Sequence, residues 1–322
     1  MNTDLILFDD SMHEIGVLAA DADFEVGTSE ALNNFEIQTL PLSARGFYIE
    51  GTEYGGIFEY LHESSVSTYQ TRKGWTWRGL LTQSIVIPPS GSDYRIVSGE
   101  ANSVIRSLLS DVLGGFFSVP ETDSGCEISS YQFGLYTNLL DGLMDMLAGY
   151  GYRLNIRAEK VAASAPIAVY VEAVPVKMIE GTFNSDSPVE IEMTVDKMGI
   201  NHLVCMGSGE LQNRMRVDLY IDGAGGVSET QYYTGFDERT AYYDYASAES
   251  RDDLVKYGTE RLLELASSNT VGIHASETET LEVGDLVRAQ HNKTVVRLPI
   301  VRKILKLERG MFRQEYRVKG EQ

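Results

Sequence analysis

The sequence predicts an α+β protein that is mostly β, with two β-barrel-like domains, an α+β unit between them and one late helix. The 322 residues include 18 Tyr and 30 Gly, and these residue types are typical of strands and turns. Alternating apolar segments follow one another at roughly ten-residue spacing over residues 1–97, as in barrels and sandwiches. Apolar residues change to helical spacing over residues 98–150 and again near 251–267.

The first β-barrel-like domain is predicted over residues 1–97. Its strand candidates include Leu5–Phe8 and Phe35–Thr39. In Trp75-Thr76-Trp77 the alternation predicts that both indole rings lie on one face of a strand. The segment Asp21-Ala22-Asp23 is predicted to be a solvated loop rather than a calcium site, because no EF-hand spacing surrounds it.

The α+β domain is predicted over residues 98–175. An apolar stripe from Val104 to Val112 predicts one helix, and a second stripe from Tyr136 to Leu147 predicts another, which Gly149-Tyr150-Gly151 ends. Two strands are expected next, at Tyr152–Arg157 and Ile167–Val174.

The second β-barrel-like domain is predicted over residues 176–322, with an inserted helix near 251–267. Ser250 is the expected N-cap of this helix, and Asp252 and Asp253 lie in its first turn, where acidic side chains are favourable. A terminal β meander is expected to follow, with Gly310 in its last turn and strands at Val271–Ser276, Leu286–His291, Thr294–Leu307 and Met311–Val318.

The charge is distributed unevenly along the chain. The formal net charge is −20, but residues 291–322 hold nine Lys and Arg against three Glu, and the rest of the chain carries −26. A chain this acidic is a poor candidate for wrapping nucleic acid. The basic end predicts either a face that docks on an acidic neighbour, such as another copy of the chain, or a solvated strand surface that discourages aggregation.

Motifs for catalysis, cofactors and metals are not found in the sequence. The five histidines have no metal-ligand spacing, Gly207-Ser208-Gly209 lacks the GxSxG pattern and suits a turn, and no phosphate loop occurs. Cys126 and Cys205 form no zinc or disulfide framework. No catalytic residue, cofactor or metal is therefore expected, and neither a signal peptide nor a membrane span is predicted.

One segment of the second domain is crowded with aromatic and acidic residues, and its aromatic members are Tyr232, Tyr233, Phe236, Tyr242, Tyr243 and Tyr245. Three interpretations stay open: a protein interface, a loop packed on its own domain, and a carbohydrate-binding surface. The predicted interface residues are these six together with Arg302, Arg309, Arg313 and Arg317 of the basic end.

Four local motifs resemble those of the phage baseplate hub family, the tail-tip proteins of siphophages that are related to the hub of contractile tails. The segments are Tyr69–Leu81 with its glycine and two leucines, Gly99–Ile105, Asn201–Glu210 with Arg214, and Leu281–Val287 with Gly284-Asp285. Their order along the chain also matches that family.

The resemblance implies a virion structural protein at the tail tip, assembled in the bacterial host cytoplasm, with two barrels that form a pseudo-sixfold ring in a homotrimer. It implies contacts with the distal tail protein, the tape-measure protein and receptor-binding or fibre proteins. The chain stops after the terminal meander, so no fibre, peptidase or lysozyme extension is expected. The alternatives are a carbohydrate-binding receptor module and a tail-tip cell-wall hydrolase.

Overall fold

The protein forms two compact units. The structure is a computed structural model that describes residues 4–113, 115–162, 164–181, 189–194, 198–222, 226–248, 250–266, 270–275, 281–291, 294–308 and 311–318. Unit 1 comprises residues 1–192 and 272–319, and unit 2 comprises residues 193–271 and 320–322. The predicted class, α+β and mostly β, is confirmed. The three predicted domain ranges stay predictions.

The secondary structure of residues 1–162 begins with the strands β1 (Leu5–Phe8), β2 (Glu14–Leu18), β3 (Asp21–Gly27), β4 (Asn34–Thr39), β5 (Gly46–Tyr48), β6 (Gly55–His62) and β7 (Gln70–Thr76). It continues with α1 (Trp77–Thr82), β8 (Ile96–Glu100), α2 (Ala101–Leu113), β9 (Phe117–Ser118), β10 (Glu127–Gln132), α3 (Leu139–Ala148) and β11 (Tyr152–Lys160).

The later elements are β12 (Ile167–Pro175), β13 (Met178–Gly181), β14 (Val189–Thr194), β15 (His202–Met206), β16 (Arg216–Ile221), β17 (Val227–Ser228) and β18 (Thr240–Asp244). The last are α4 (Arg251–Leu265), β19 (Thr270–Ala275), β20 (Leu286–His291), β21 (Thr294–Glu308) and β22 (Met311–Val318).

A large curled sheet joins the two ends of the sequence. Its neighbouring strands follow the order β22-β21-β3-β4-β7-β6-β5-β1-β2, with β19 beside β22 and β20 beside β21. The C-terminal strand β21 therefore pairs with the N-terminal strand β3. Aromatic rings pack inside the curl, where Phe24, Phe35, Phe47 and Tyr54 are almost fully buried with Leu305.

Strand β3 corrects the prediction of a solvated loop at Asp21-Ala22-Asp23. These residues start a strand in which Ala22, Phe24 and Val26 are buried and the acidic side chains between them face outward. The alternation of small or apolar residues with acidic ones is the period-2 pattern of a strand with one solvated face. The acidic residues obscured that pattern in the sequence.

The predicted strand through Trp75-Thr76-Trp77 is wrong at its end. Strand β7 stops at Thr76, whose hydroxyl accepts a hydrogen bond from the backbone N–H of Gly79 and so caps helix α1. Trp77 lies in the first turn of that helix, is fully buried and stacks on Phe8 at 6.1 Å. The two indoles therefore lie in different elements rather than on one strand face.

The helices that follow pack into a shared core of unit 1. Helix α2 confirms the first predicted helix and α3 the second, with Asn138 as the N-cap of α3. The sheet β11-β12-β9 and the pair β8-β10 accompany them. One cluster of buried residues includes Phe8 and Trp77 as well as Leu140, Leu143 and Val169. The core thus continues from the strands of residues 1–97 into the helices.

The described residues of unit 2 form a four-stranded sheet on which helix α4 packs. The strand order is β17-β16-β15-β18, in which β15 and β18 are parallel. The apolar side chains of Leu203, Cys205 and Leu219 pack with Leu254 and Leu262 of α4. Helix α4 confirms the predicted late helix, including its N-cap: the Ser250 hydroxyl accepts from the backbone N–H of Asp253.

Candidate functional site

Four basic side chains form one strip on the outer face of β21 and β22 in unit 1. Arg302 lies directly opposite Arg317, and Lys306 lies directly opposite Arg313. Opposed residues of an antiparallel pair share one face, where like charges destabilise the sheet. Glu25 offsets part of this repulsion, since its carboxylate is 3.5 Å from Nε of Arg302. These four basic residues are called the basic strip below.

The predicted basic interface residues are only partly brought together. Arg313 is exposed, and Arg302 and Arg317 are partly exposed on the same face. Arg309 lies outside the described residues. Lys303, which the sequence places in the basic end, points inward and is 2% exposed. The basic face is therefore narrower than the composition of residues 291–322 suggests.

Lys303 belongs to a buried ionic cluster. Its ammonium is 2.7 Å from the carboxylate of Glu282 and 3.5 Å from that of Glu53, and it lies 5.0 Å from the centre of the Tyr54 ring. Glu53 also accepts a 2.7 Å hydrogen bond from Nε of Arg78, which is 1% exposed. The cluster ties strand β21 to helix α1 and to two loops of unit 1.

The buried cluster stays charged. Burial raises the pKa of Glu53, but the charges of Arg78 and Lys303 outweigh this effect and hold it below its ordinary value. Burial lowers the pKa of Lys303, but Tyr54, Glu282 and Glu53 outweigh this effect and hold it well above its ordinary value. An opposite charge compensates each buried one, so the arrangement suits a structural cross-link.

Beside the basic strip, acidic residues line an open groove of about 820 Å³, called the acidic groove. Its carboxylates include Asp21, Asp23, Glu36 and Glu308, and Asp23 lies directly opposite Glu36 on the next strand. Burial raises the pKa of Asp23, Lys306 directly opposite lowers it in part, and the carboxylates of Glu25, Glu36 and Glu308 raise it. The acidic groove therefore holds a local excess of negative charge.

A second groove, of about 680 Å³ and called the apolar groove, shares Asp21 with the acidic groove. The side chains of Val17, Leu40 and Tyr69 line it and are 64%, 54% and 62% exposed. Exposed apolar residues that adjoin one another with charged neighbours are typical of protein interaction surfaces.

Both residues of the Gly284-Asp285 motif stabilise the local backbone conformation. Gly284 has a φ of +97°, a conformation that favours glycine. The fully buried carboxylate of Asp285 accepts hydrogen bonds from Nε of Arg153 at 2.7 Å and from the backbone N–H groups of Lys177 and Glu282 at 3.0 Å. This motif builds a turn, and its carboxylate joins that turn to Arg153 of β11 and to the backbone of Lys177.

Two other motifs have similar structural tasks. Arg214 donates a 2.7 Å hydrogen bond from Nε to the carbonyl of Gly207 and pairs with Asp244, so it joins the end of β15 to the end of β18. The Gly207-Ser208-Gly209 segment follows β15 directly, as expected for a turn. Gly74 lets two strands approach, because a Cβ there would lie 1.8 Å from the carbonyl oxygen of Ile57.

The aromatic segment of unit 2 separates into an exposed part and a packed part. Phe236 is fully exposed, and Tyr232 and Tyr242 are 59% and 60% exposed. Tyr243 and Tyr245 are half-buried and stack on each other with ring centres 5.9 Å apart. The ring of Tyr233 contacts that of Tyr232 edge-on, with ring centres 4.9 Å apart. Tyr245 also contacts Tyr257 of helix α4, with ring centres 4.9 Å apart.

His202 of unit 2 has strongly polar surroundings, and its spacing from other residues in the sequence gave no sign of them. Its Nε2 is 2.9 Å from Asp218, its Nδ1 is 2.8 Å from Glu238, and its ring stacks on Tyr220 at 4.2 Å. Asp218 also accepts from Arg216, and this hydrogen bond lowers the pKa of Asp218. These contacts hold neighbouring strands together.

The described ranges contain two free cysteines and no group of side chains arranged to hold a metal ion. No three His, Cys, Asp or Glu side chains there are grouped to hold a metal ion. Cys126 and Cys205 are both buried, and burial together with Asp218 raises the pKa of Cys205 to about 11. In the part of the chain that the structure describes, no helix combines the length and apolarity needed to cross a membrane.

No known family model matches the sequence, and no curated protein matches it. The chain is similar to solved structures of phage tail and baseplate proteins. It is similar to the tail protein from Neisseria meningitidis MC58, with 12% identity, a TM-score of 0.47, and coverage of 98% of this chain and 95% of that one.

Two further likenesses cover almost the whole chain. The prophage tail protein gp18 from Listeria monocytogenes EGD-e has 13% identity and a TM-score of 0.48, with 98% of this chain and 94% of that one covered. The 43 kDa tail protein of prophage MuSo2 from Shewanella oneidensis has 10% identity and a TM-score of 0.48, with 98% of each chain covered. Likenesses this distant do not decide what this chain does.

Proposed function

We propose that this chain is a structural protein of a phage tail, a baseplate hub at the tail tip. Its work is to self-associate into a ring, a homotrimer, and to join the tail tube to the tip or receptor-binding components. The neighbours in the assembly would be the distal tail protein, the tape-measure protein and fibre proteins. The place of action would be the virion tail of a siphophage, after assembly in the host cytoplasm.

The observation that carries the proposal is that the motif residues stabilise turns and strand contacts. Asp285, Arg214 and Gly74 belong to the segments that resemble the hub family, and each holds a turn or a close strand approach. Motifs that serve the backbone are expected when a family shares an assembly scaffold rather than an active site. The exposed basic strip and the two grooves give such a scaffold surfaces for docking.

The purified chain tests the proposal directly. Sedimentation velocity should give the mass of three copies, and negative-stain electron microscopy should show closed rings. Antibody labelling of intact particles should mark the tail tip. A chain that stays monomeric at high concentration, and is monomeric when released from purified tails, contradicts the proposal.

We also propose that the chain has no enzymatic activity of its own. Zymography on intact cell walls should show no clearing by the purified chain. Clearing that co-purifies with the chain, and is lost when the chain is removed with an antibody, would favour the cell-wall hydrolase instead.

A carbohydrate-binding receptor module is the second candidate, and the exposed rings of Tyr232 and Phe236 favour it. Exposed aromatic faces beside polar groups offer both apolar contact and hydrogen bonds. A glycan array should show a signal that Tyr232→Ala and Phe236→Ala abolish. Tyr245→Phe is the matched control, because Tyr245 packs against Tyr257 of the same unit. An array without signal removes this candidate.

A further inference from the structure

We propose that an exposed, uncharged face of unit 1 docks on the same face of a second copy, in a twofold apolar contact. This surface is called the neutral face, and its exposed apolar side chains are Ile85, Ile87, Ile96, Leu135 and Tyr136. The inference goes beyond the proposed function, because a twofold contact pairs copies and does not itself close a ring of three.

Two segments that are distant in the sequence form the neutral face. Ile85 lies opposite Asn138 in a β-bridge, and Ile96 lies opposite Gln132 of strand β10. The two remaining segment-mates of Asn138 in the face lie between these two partners in the sequence. Backbone pairing at both ends therefore holds the five apolar side chains in one region of unit 1.

The neutral face points away from the core. Val86 is 3% exposed and belongs to a buried cluster of unit 1, so its chain neighbours Ile85 and Ile87 point to the opposite side. Val97 packs against the same cluster, so Ile96 also points outward. The five side chains are between 44% and 61% exposed. Large apolar residues that are exposed as a group are typical of protein interaction surfaces.

The segments that form this face are free of charge. No Asp, Glu, Lys or Arg occurs over residues 79–92 or over residues 128–140, although these types make up 23% of the chain. Depletion of charged residues, together with exposed aliphatic and aromatic side chains, is the composition of the core of an interface.

Tyr136 holds its ring in the neutral face from an unfavourable backbone conformation. Its φ is +53°, in the left-handed region that favours glycine over residues with a Cβ. Its side chain is 59% exposed, so contacts within the chain offset little of this strain. Strained backbone at an exposed ring is typical of a binding surface.

The charge of the chain selects a second copy as the occupant. The net charge is −20, so a basic partner is attracted most strongly to the acidic parts of the surface, and copies repel one another wherever those parts meet. At the neutral face two copies approach without placing carboxylates against carboxylates. The face therefore suits a partner of the same charge, and a second copy brings that charge together with the same apolar side chains.

The area of the neutral face fits a contact that depends on concentration. Five large side chains that are each about half exposed present on the order of 500 Å² per copy, so a pair buries about 1,000 Å². Specific interfaces begin near this area. The pair is therefore expected to form at high concentration and to separate on dilution.

Sedimentation velocity over a concentration series tests the contact. The mass of the parent assembly should double at high concentration, from three copies to six for a ring or from one copy to two for a single chain. Raising the salt concentration from about 50 mM to about 500 mM should strengthen the doubling, because salt screens the repulsion between acidic copies and leaves apolar contact intact. Doubling that weakens with salt overturns the inference, since ion pairs would then hold the copies together.

Two aspartates placed in the neutral face should separate the pair. I87D/L135D should weaken the doubling about tenfold or more, because each new carboxylate would be buried without a partner. The control V66D/L211D adds the same charges at side chains that are 94% and 92% exposed elsewhere, Val66 between β6 and β7 and Leu211 in unit 2. The control should double as the parent does.

Tyr136→Gly separates loss of the contact from loss of the fold. Glycine suits the φ of this position, so the melting midpoint should not fall. Loss of the exposed ring should weaken the doubling about threefold or more, since aromatic side chains contribute much of the contact area of an interface. Doubling that is unchanged in Tyr136→Gly and in I87D/L135D overturns the inference, because another surface would then join the copies.

The outcomes distinguish this inference from the proposed function. A parent chain whose mass does not double at any concentration or salt overturns the twofold contact and leaves the ring of three copies standing. A mass that keeps growing beyond the doubled value also overturns it, because an isologous contact closes on itself. Doubling from one copy to two, with no three-copy species, supports the contact and contradicts the ring.

Discussion

The two compact units of the chain hold their charged side chains in different environments. Unit 1 buries Glu53, Arg78 and Lys303 with less than 6% exposure each. Unit 2 keeps its arginine pairs at the surface, for example Arg251 with Glu229, whose side chains are 55% and 47% exposed. A buried pair is costly to break, whereas an exposed pair is solvated in either state. The buried charges of unit 1 therefore have a structural role, whereas the exposed Arg251–Glu229 pair of unit 2 has a minor one.

The comparison extends to the apolar cores. Unit 1 surrounds its buried charges with aromatic rings inside a curled sheet and with helices α2 and α3. The described residues of unit 2 form one sheet packed on helix α4, and the contact between them includes a close approach at Gly258. We expect the stability of unit 1 to depend on its buried charges and that of unit 2 on the packing of helix α4 against the sheet.

The largest effect is expected when the buried cluster loses one member. Arg78→Met leaves Glu53 without its nearest cation and removes the 3.2 Å hydrogen bond from Nη2 to the Leu154 carbonyl. Breaking a buried ion pair by removing one partner costs about 3–5 kcal/mol. The free energy of unfolding, measured by urea denaturation with a tryptophan signal, should fall by this amount because Trp77 lies in the core of unit 1.

Lys303→Met, alone and combined with Arg78→Met, tests whether the two cations of the cluster are energetically coupled. The cost of the double variant should differ from the sum of the two single variants, because both cations compensate Glu53 and repel each other. Additive losses would mean that the two cations act independently and would contradict the description of one cluster.

The next effect concerns the helix contact of unit 2. In Gly258→Ala the new Cβ would lie 2.6 Å from Sγ of Cys205 and 2.8 Å from Cδ1 of Leu219. Overpacking of this kind costs about 1–3 kcal/mol, less about 1 kcal/mol gained because alanine favours a helix. Amide hydrogen exchange in β15 and α4 should therefore become faster, while exchange in unit 1 stays unchanged.

A matched second change separates overpacking from other causes in unit 2. Cys205→Ala removes the nearer of the two contacts, so the double variant should recover part of the lost protection. Gly258→Ala with slower exchange than the parent would show that the helix moves aside without cost.

Elements whose signals lie within one segment could be predicted from the sequence. Features that depend on a contact with a residue far away in the sequence could not. Helix α4 was predicted down to its N-cap, because the Ser250 cap and the apolar stripe lie within one segment. Strand β3 was detectable from its alternation and was hidden by its acidic residues. The burial of Lys303 depends on Glu53 and Glu282, and no spacing near Lys303 reveals them.

The candidate site was also predictable only in the parts that depend on local sequence. The basic composition of the terminal strands was visible in the sequence, and it led to Arg302, Arg313 and Arg317 as interface candidates. Their opposition across β21 and β22 depends on register, which the hairpin fixes in the folded chain. The acidic groove combines strands from both ends of the sequence, so local motifs could not predict it.

A smaller, pH-dependent effect is expected at the start of helix α2. Burial raises the pKa of Glu100, but hydrogen bonds from Ser124, Asn102 and Ser103 outweigh it and bring the pKa to about 2. The folded pKa lies below the ordinary value of 4.5, so this carboxylate stabilises unit 1 above pH 4.5. The contribution is lost as the pH falls from about 4.5 to about 2.

Glu100→Gln measures this contribution. At neutral pH the variant should be about 1 kcal/mol less stable, as for a weakened helix cap. The difference in unfolding free energy between parent and variant should shrink as the pH falls from about 4.5 to about 2. A difference that stays constant over this range would mean that the ionised carboxylate is not the stabilising form.

The smallest effect is expected at the exposed pair of unit 2. Arg251→Gln removes the hydrogen bonds to Glu229, one of which is 3.0 Å long. Both side chains are about half exposed, so water replaces the lost partner and salt already screens the pair. The melting midpoint should equal that of the parent within error at physiological salt, with any difference confined to low salt. A loss as large as that of Arg78→Met would remove the contrast between the units, because an exposed pair would then stabilise its unit as strongly as a buried one.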